Sequence, residues 1–491
     1  MVFTAASAGT LDLAHSLSYT GRIAGLATTG ADALSLDDIG FTGGVTTATY
    51  KGTTTSGVLT VTDGTHAARI NLIGDYLGQG FTTSLGAGGV GTRIVDDPSL
   101  IHWASQVSGG FATAADWIGG VVPGPADAAI LDAPGSIAYT VTASASQTVA
   151  SIRTAATATL VITGGVFDAA SGTGGGADAG TIAVGAGATL EIGGAFDNAG
   201  VVSFDGGATL MVAAGGATLA GTGTVELGAA SRLTGATAAA VLTNAGATIE
   251  GAGQLGAGKL VLINQAAGVI ASEGAVALTI DTGANTITNA GLIVAEGAGG
   301  MTIASAIANT GGLAVDGGPM TVMGDVGGSG YGEVVSGTLK FAGAFNQNVV
   351  FTAGSTGTLE LAHGQTYGGA IDGLSTTGAN ALDLDDITFA QGTTTATFAG
   401  SSGSGVLTVT DGTHTARINL DGDYLGSTFT TSLGVGGIGT RIVDPAAPVP
   451  APAHAFIAAM AALGAESAGS VSWTGDPPPI ARPMLVSPRA A

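Results

Sequence analysis

Between residues 196 and 311 one short pattern recurs: an apolar residue, any residue, Asn, and then Gly two places further on. It reads Phe196-Asp197-Asn198-Ala199-Gly200, Leu242-Thr243-Asn244-Ala245-Gly246, Ile287-Thr288-Asn289-Ala290-Gly291 and Ile307-Ala308-Asn309-Thr310-Gly311, with a looser form around Leu262-Ile263-Asn264. The Asn positions are 46, 20, 25 and 20 residues apart, which predicts one coil of a parallel β-solenoid every 20 to 25 residues, the first gap holding two coils. Each coil would bury small and β-branched side chains, turn corners on Gly, and set an Asn at one corner in a left-handed conformation. The Asn amide would bond the Asn of the next coil.

The rest of the sequence suits a chain of short strands and tight turns. Gly occurs 87 times without a three-residue period, 45% of residues are hydrophobic and only 5% aromatic, which excludes collagen and argues against disorder. Twelve Lys and Arg against 35 Asp and Glu give a formal charge of −23, so phosphate backbones and anionic lipid surfaces repel the protein and nucleic acid is not an expected partner. There is no Cys, hence no disulfide framework or thiolate metal site. The first residues do not read as a signal peptide, and no apolar run is long enough to insert in a membrane, so the route of any export is unknown.

A second, longer repeat brackets the solenoid. Residues 2–96 match residues 350–444 at a constant offset of 348, without a gap and with 68 of 95 positions identical. Both copies contain Gly-Val-Leu-Thr-Val-Thr-Asp-Gly-Thr-His, at 57–66 and 405–414, and Phe-Thr-Thr-Ser-Leu-Gly, at 81–86 and 429–434. Leu59 to Thr62 and the residues after Asp63-Gly64 read as a hairpin with Thr65 to Leu72 as its return strand, placing His66 on the face of Val61, Ala68, Ile70 and Leu72. Each copy is therefore expected to be a small antiparallel β-sandwich or β-roll. The expected organisation is a first β module at 1–98, a transition segment at 99–127, a parallel β-solenoid (β-helix) at 128–345, a second module at 346–444 and a Pro/Ala-rich tail at 445–491 with one short helix. Because the match begins at Val2, the chain reads as part of a longer repetitive protein, with a natural N-terminal cap as the alternative.

The apolar-x-Asn-x-Gly pattern, with Gly180-Thr181-Ile182-Ala183-Val184 and Ala188-Thr189-Leu190-Glu191-Ile192 beside it, resembles the passenger domains of bacterial autotransporters and filamentous-haemagglutinin-type adhesins. Ala115-Asp116-Trp117-Ile118-Gly119-Gly120-Val121-Val122-Pro123 resembles the opening of such passengers, and the duplicated module resembles repeats in large exported proteins of alphaproteobacteria. The resemblance implies a secreted or cell-surface, acidic, Gly-rich structural protein of adhesin type. Two departures are the missing C-terminal translocator barrel and the missing Gly-Gly-x-Gly-x-Asp calcium repeats.

The sequence offers little catalytic chemistry. None of the six His lies between 128 and 345, and that stretch holds only Arg153, Arg232, Lys259 and Lys340 as basic residues. Acid–base catalysis by a β-helix enzyme needs paired carboxylates with such groups nearby, so no enzyme and no catalytic residue is expected. Asp37, Asp38 and Asp75, repeated as Asp385, Asp386 and Asp423, are the oxygen-rich positions and the candidate ligands of a structural calcium; no other cofactor is expected. Adjacent Asp residues on a strand point to opposite faces, so a pair cannot chelate alone. Tyr50, Tyr76, Phe398 and Tyr424 are candidate platforms for sugars, although the exchange of Tyr50 for Phe398 suits packing better. The sequence thus points to a rigid rod displaying binding modules, with cell-surface glycans, host or matrix surfaces, or copies of itself as partners. Carbohydrate-binding modules on an inert spacer are the first alternative and a polysaccharide-active enzyme the second; the latter requires a carboxylate cluster on one face of the rod.

Overall fold

The computed structural model describes residues 1–446 apart from 5–7, 29, 54 and 77–78. The tail and its expected helix lie outside the described residues. The described chain is almost entirely strand and turn and forms a parallel β-solenoid of about 17 turns; among the described residues no helix is long and apolar enough to cross a membrane. One wall is a sixteen-stranded sheet, and the other two belong to a twenty-stranded sheet whose pairing divides into two lines. The long strand Thr209–Ala220 shows the division: its first half pairs with Arg232–Gly235 and its second half with Val241–Asn244.

Inward positions stack one coil above the next. Ile182, Val202, Val225, Ile249, Ile270, Ile293 and Leu313 are register partners in sequence along one wall, and all are buried. Burying each such side chain stabilises the coil by about 1.5–3 kcal/mol. The Gly of the Asn motif has a different cause from the one expected. A Cβ on Gly200 would sit 2.0 Å from the carbonyl oxygen of Gly180, and one on Gly311 2.0 Å from that of Gly291. Close approach of successive coils, rather than a positive φ, excludes a side chain there.

The Asn ladder forms as the spacing predicts. Asn244, Asn264 and Asn289 each donate from Nδ2 to the Oδ1 of the next Asn, at 3.0, 2.9 and 2.7 Å. Asn309 donates to Oε1 of Gln347 at 2.8 Å, and Gln347 returns a bond to the Asn309 carbonyl at 2.9 Å. All four Asn are fully buried. They are not left-handed: among the described residues the only non-glycine residues with positive φ are Ala230 and Ala257. Extended backbone suffices because the amide caps carbonyls of its own corner, as Asn264 does for Gly268 at 3.1 Å. Asn198 stands apart and donates to the Thr224 carbonyl, its neighbouring coil carrying Gly221 and Gly223 instead of Asn.

The transition segment closes the N-terminal end of the solenoid core. Trp103, Phe111 and Trp117 are buried with edge-to-face ring contacts of 5.0 Å, and Phe111 leans on Phe167 of a later coil at 5.2 Å. Both indole N–H groups are satisfied by carbonyls, of Val107 and Phe111.

Each duplicated module consists of two walls that begin parallel and end in antiparallel hairpins. In the first copy Thr10–Leu13 pairs in parallel with Ala33–Leu36, which meets Thr92–Asp97 and Gly80–Leu85 antiparallel. Arg22–Ala24 pairs in parallel with Ala67–Ile73, followed by Ser56–Thr62 and Thr47–Gly52 antiparallel. These two four-stranded sheets enclose a core of their own around Ile23, Leu34, Leu36, Leu59, Ile70 and Ile94. The same strands of the second copy continue the solenoid. Thr358–Leu361 pairs with Thr338–Phe341 of the preceding coil, Asn348–Phe351 with Tyr331–Ser336, and the core of this copy is one with that of the solenoid. The sheets therefore cross residue 345 without a break, and the second copy ends the solenoid by turning its parallel walls into hairpins.

The hairpin at Asp63 closes one step later than expected. Thr62 faces Ala67, the central residues are Gly64 and Thr65, and only Gly64 has positive φ, as the first central residue of a type II′ turn does. Ala68, Ile70 and Leu72 keep the inward face, but His66 is carried to the exposed end, where its ring Nδ1 lies 3.1 Å from Asp63 Oδ2.

Candidate functional site

The densest polar chemistry lies where the second copy joins the solenoid. Lys340, Glu360, Asp383 and Arg441 occupy register positions on four adjacent strands. The Lys340 ammonium donates to Glu360 and, at 3.0 Å, to Oδ2 of Asp385. Glu360 is 5% exposed, and burial, only partly offset by the Lys340 bond, pushes its carboxyl up. Asp383 is fully buried and likewise pushed up by burial, although it accepts the Val435 N–H at 2.6 Å. Burial works against the Lys340 charge, yet its two carboxylate bonds outweigh that and hold its pKa above the usual range. This is a structural ion cluster fastening the module to the coil beneath it.

The six Asp positions expected as calcium ligands are not brought together as one ligand set. Asp38 accepts from Ser16 and from the Leu17 N–H, and those bonds outweigh burial and lower its pKa. Asp37 turns toward Asp12, and its pKa rises through burial and that neighbour. In the second copy Asp385 is the partner of Lys340, whereas Asp386 accepts the Gln365 N–H at 2.9 Å. Asp75 and Asp423 sit on the turn before Tyr76 and Tyr424, and Asp423 accepts the Leu425 N–H at 3.2 Å. Among the described residues no three His, Asp or Glu side chains converge as a metal would require. The adjacent Asp residues lie not on a strand, as expected, but in the turn just after the strands Ala33–Leu36 and Ala381–Leu384, where their carboxylates take different partners.

The candidate sugar platforms are packing residues. Tyr76 and Tyr424 are each 3% exposed and donate their hydroxyls to the Leu26 and Leu374 carbonyls at 3.0 and 2.9 Å. Tyr50 and Phe398 meet them edge to face at 5.7 and 5.6 Å. A shallow groove does run beside Tyr424, lined by Thr352, Ser355, Ser375, Thr377, Asn380 and Asp423. Its hydroxyls are tied together: Ser375 Oγ is 2.8 Å from Thr377 Oγ1, and Asn380 donates to Ser355 Oγ at 2.7 Å.

A feature missed in the sequence is an acidic strip on the sixteen-stranded wall. Glu226 and Glu250 are register partners facing outward, and a shallow cleft holds them with Asp205 and Glu273. Glu250 is pushed up by burial and by Glu273, Glu226 and Glu296. The signal was present as a spacing: Glu226 and Glu250 are one coil apart in register, and Glu273 and Glu296 follow at intervals of 23, each just past the strand that carries the register partners Ala271 and Val294. This is the carboxylate cluster on one face that a polysaccharide-active reading requires, although neither His nor Lys nor Arg lines the cleft.

No family model matches the chain, and neither does any curated protein or any solved structure.

Proposed function

We propose that the chain is a secreted or surface-displayed structural protein of adhesin type, a stiff β-solenoid that holds its modules at a distance and gains binding strength from repetition. The observation that carries this reading is the unbroken ladder from Asn244 through Gln347 into the second copy, which couples module and rod through buried amide bonds and continuous sheets. Such a coupling transmits tension along backbone ladders without disulfides. The polar groove beside Tyr424 is the display site in this reading, with glycans as the ligand class. The test is retention of beads carrying many copies of the chain on glycan-coated surfaces, against Ser375→Lys/Thr377→Lys beads. Retention of the native beads alone supports the proposal; equal retention, or none on any surface, contradicts it.

A second reading has one observation in its favour: the acidic strip with a raised Glu250 beside Glu226 is what a general acid and its partner carboxylate need to cleave a polysaccharide. Release of reducing ends from acidic or neutral polysaccharides, lost in Glu250→Gln, would establish it.

A further inference from the structure

The ion cluster at the joint of the second copy has the makings of a centre for amide formation. Lys340, Glu360 and Asp383 are register neighbours on three consecutive strands, and Asp385 directly follows the third, its N–H fixed on the Leu361 carbonyl at 3.0 Å. The lysine side chain crosses the middle strand, so its Nζ bonds Glu360 and lies 3.0 Å from Asp385 Oδ2. The three side chains are largely out of solvent, with exposures of 28% for Lys340, 7% for Glu360 and 14% for Asp385. The other oxygen of Asp385 is buried and has no hydrogen-bond partner among the described residues. An ordinary ion pair needs one acid. Here a second, more deeply buried acid sits on the same ammonium, and burial outweighs the Lys340 bond in raising the pKa of Glu360.

We propose that Lys340 and Asp385 condense to an intramolecular amide, a covalent cross-link between the solenoid and the second copy, with Glu360 as the proton carrier. Lys340 Nζ must lose a proton before it can attack, although its two carboxylate bonds hold it charged. Glu360 is placed to take that proton along the bond that joins them, and its raised pKa narrows the gap between the two groups. The amine then bonds to Asp385 Cγ, and the Cγ–Oδ2 bond breaks. Two of the three ammonium protons pass by way of Glu360 to Oδ2, which leaves as water; the third stays on the amide nitrogen. The step consumes no oxidant and no co-reactant. Holding amine and carboxyl in contact supplies an effective concentration of about 10⁵–10⁸ M, which drives the condensation in the presence of water. The product replaces a partly buried ammonium and carboxylate with a neutral amide, which removes the cost of keeping two charges out of solvent. In the first copy Asp12 and Asp37 hold the places of Glu360 and Asp385 and pair with each other, so they are an uncrosslinked reference within the same chain.

The test is the mass of the purified full chain, incubated at neutral pH until constant and then mapped with trypsin after denaturation. The expected result is a chain one water lighter than its sequence, with the loss confined to Lys340 and Asp385. Trypsin should then fail to cut after Lys340, leaving residues 260–417 in one piece between the cuts at Lys259 and Arg417. Lys340→Arg and Asp385→Ala should each keep the full mass of their sequences. Glu360→Gln, which retains both reacting groups, should form the bond at least about 100-fold more slowly. Full mass and free cleavage after Lys340 in the folded native chain overturn the proposal, and that measurement needs no variant to fold. A water loss that maps to other residues, the first copy included, or that persists in Asp385→Ala, overturns it as well. Equal rates in the native chain and Glu360→Gln overturn the part assigned to Glu360.

Discussion

The two copies of the duplicated module share 68 of 95 residues yet sit in different surroundings. The first encloses a separate core and presents an open edge; the second continues the sheets and the core of the solenoid. The same apolar residues are half-buried in one and fully buried in the other, and the same acid pair faces solvent in one and a lysine in the other. Sequence thus specifies strands, turns and inward faces, but the neighbouring coil decides what each residue contributes. The copies form an internal control in which context is the variable.

The largest expected effect separates them at one equivalent position. Leu359→Ala removes a fully buried side chain and should destabilise the second copy by about 3–4 kcal/mol, whereas Leu11→Ala at the half-covered edge should cost about 1 kcal/mol. Local opening free energies from native-state hydrogen exchange measure both, and equal losses would erase the distinction.

Asp96 is the next lever. It is fully buried, neither carboxylate oxygen has a hydrogen-bond partner among the described residues, and burial pushes its pKa up to about 7. Its counterpart Asp444 accepts the Thr428 N–H at 3.2 Å. The unfolded chain releases the Asp96 proton near pH 3.8 and the folded chain near 7, so between these values the folded state binds more protons and the first copy loses stability as pH rises. The loss should reach about 4 kcal/mol by pH 8, and Asp96→Asn should abolish the slope. A melting profile of the first copy that is flat from pH 4 to 8 in the native chain would contradict this.

Lys340→Ala should cost the second copy about 2 kcal/mol by leaving Glu360 and Asp385 uncompensated, with partial recovery in Lys340→Ala/Glu360→Gln. The first copy, which has no such lysine, should be untouched. The smallest effect should be the same in both copies: Tyr76→Phe and Tyr424→Phe each remove one buried bond to a carbonyl, at about 1 kcal/mol each. Unequal losses would show that context reaches even these interior bonds.

Much of the fold was legible because its determinants repeat at the period of a coil. The Asn positions predicted both the coil length and the amide ladder, and the empty gap between Asn198 and Asn244 does hold an extra coil. Their backbone conformation was misread because Asn next to Gly suggests a left-handed corner, whereas the strand simply ends there and the Gly is needed for coil-to-coil clearance. The hairpin shifted because Asp63 spends its carboxylate on the Thr65 and His66 N–H groups, which places Gly64 first in the turn. The Lys340–Glu360–Asp385 cluster was not legible at all. Its members are 20 and 25 residues apart, and only the register of three consecutive coils, set by loops of unequal length, brings them together. The acidic strip was readable from its regular spacing, but each Glu alone looks like a solvated charge.

The second copy is part of the solenoid, whereas the first keeps two sheets and a core of its own. Amide hydrogen exchange followed by mass spectrometry across the whole chain tests it directly. Peptides spanning 338–361 should exchange in step with those of the solenoid around Asn264 and Asn289, while peptides from 10–36 exchange in a separate and faster phase. A second copy that opens independently of the solenoid, at the rate of the first, would contradict the claim.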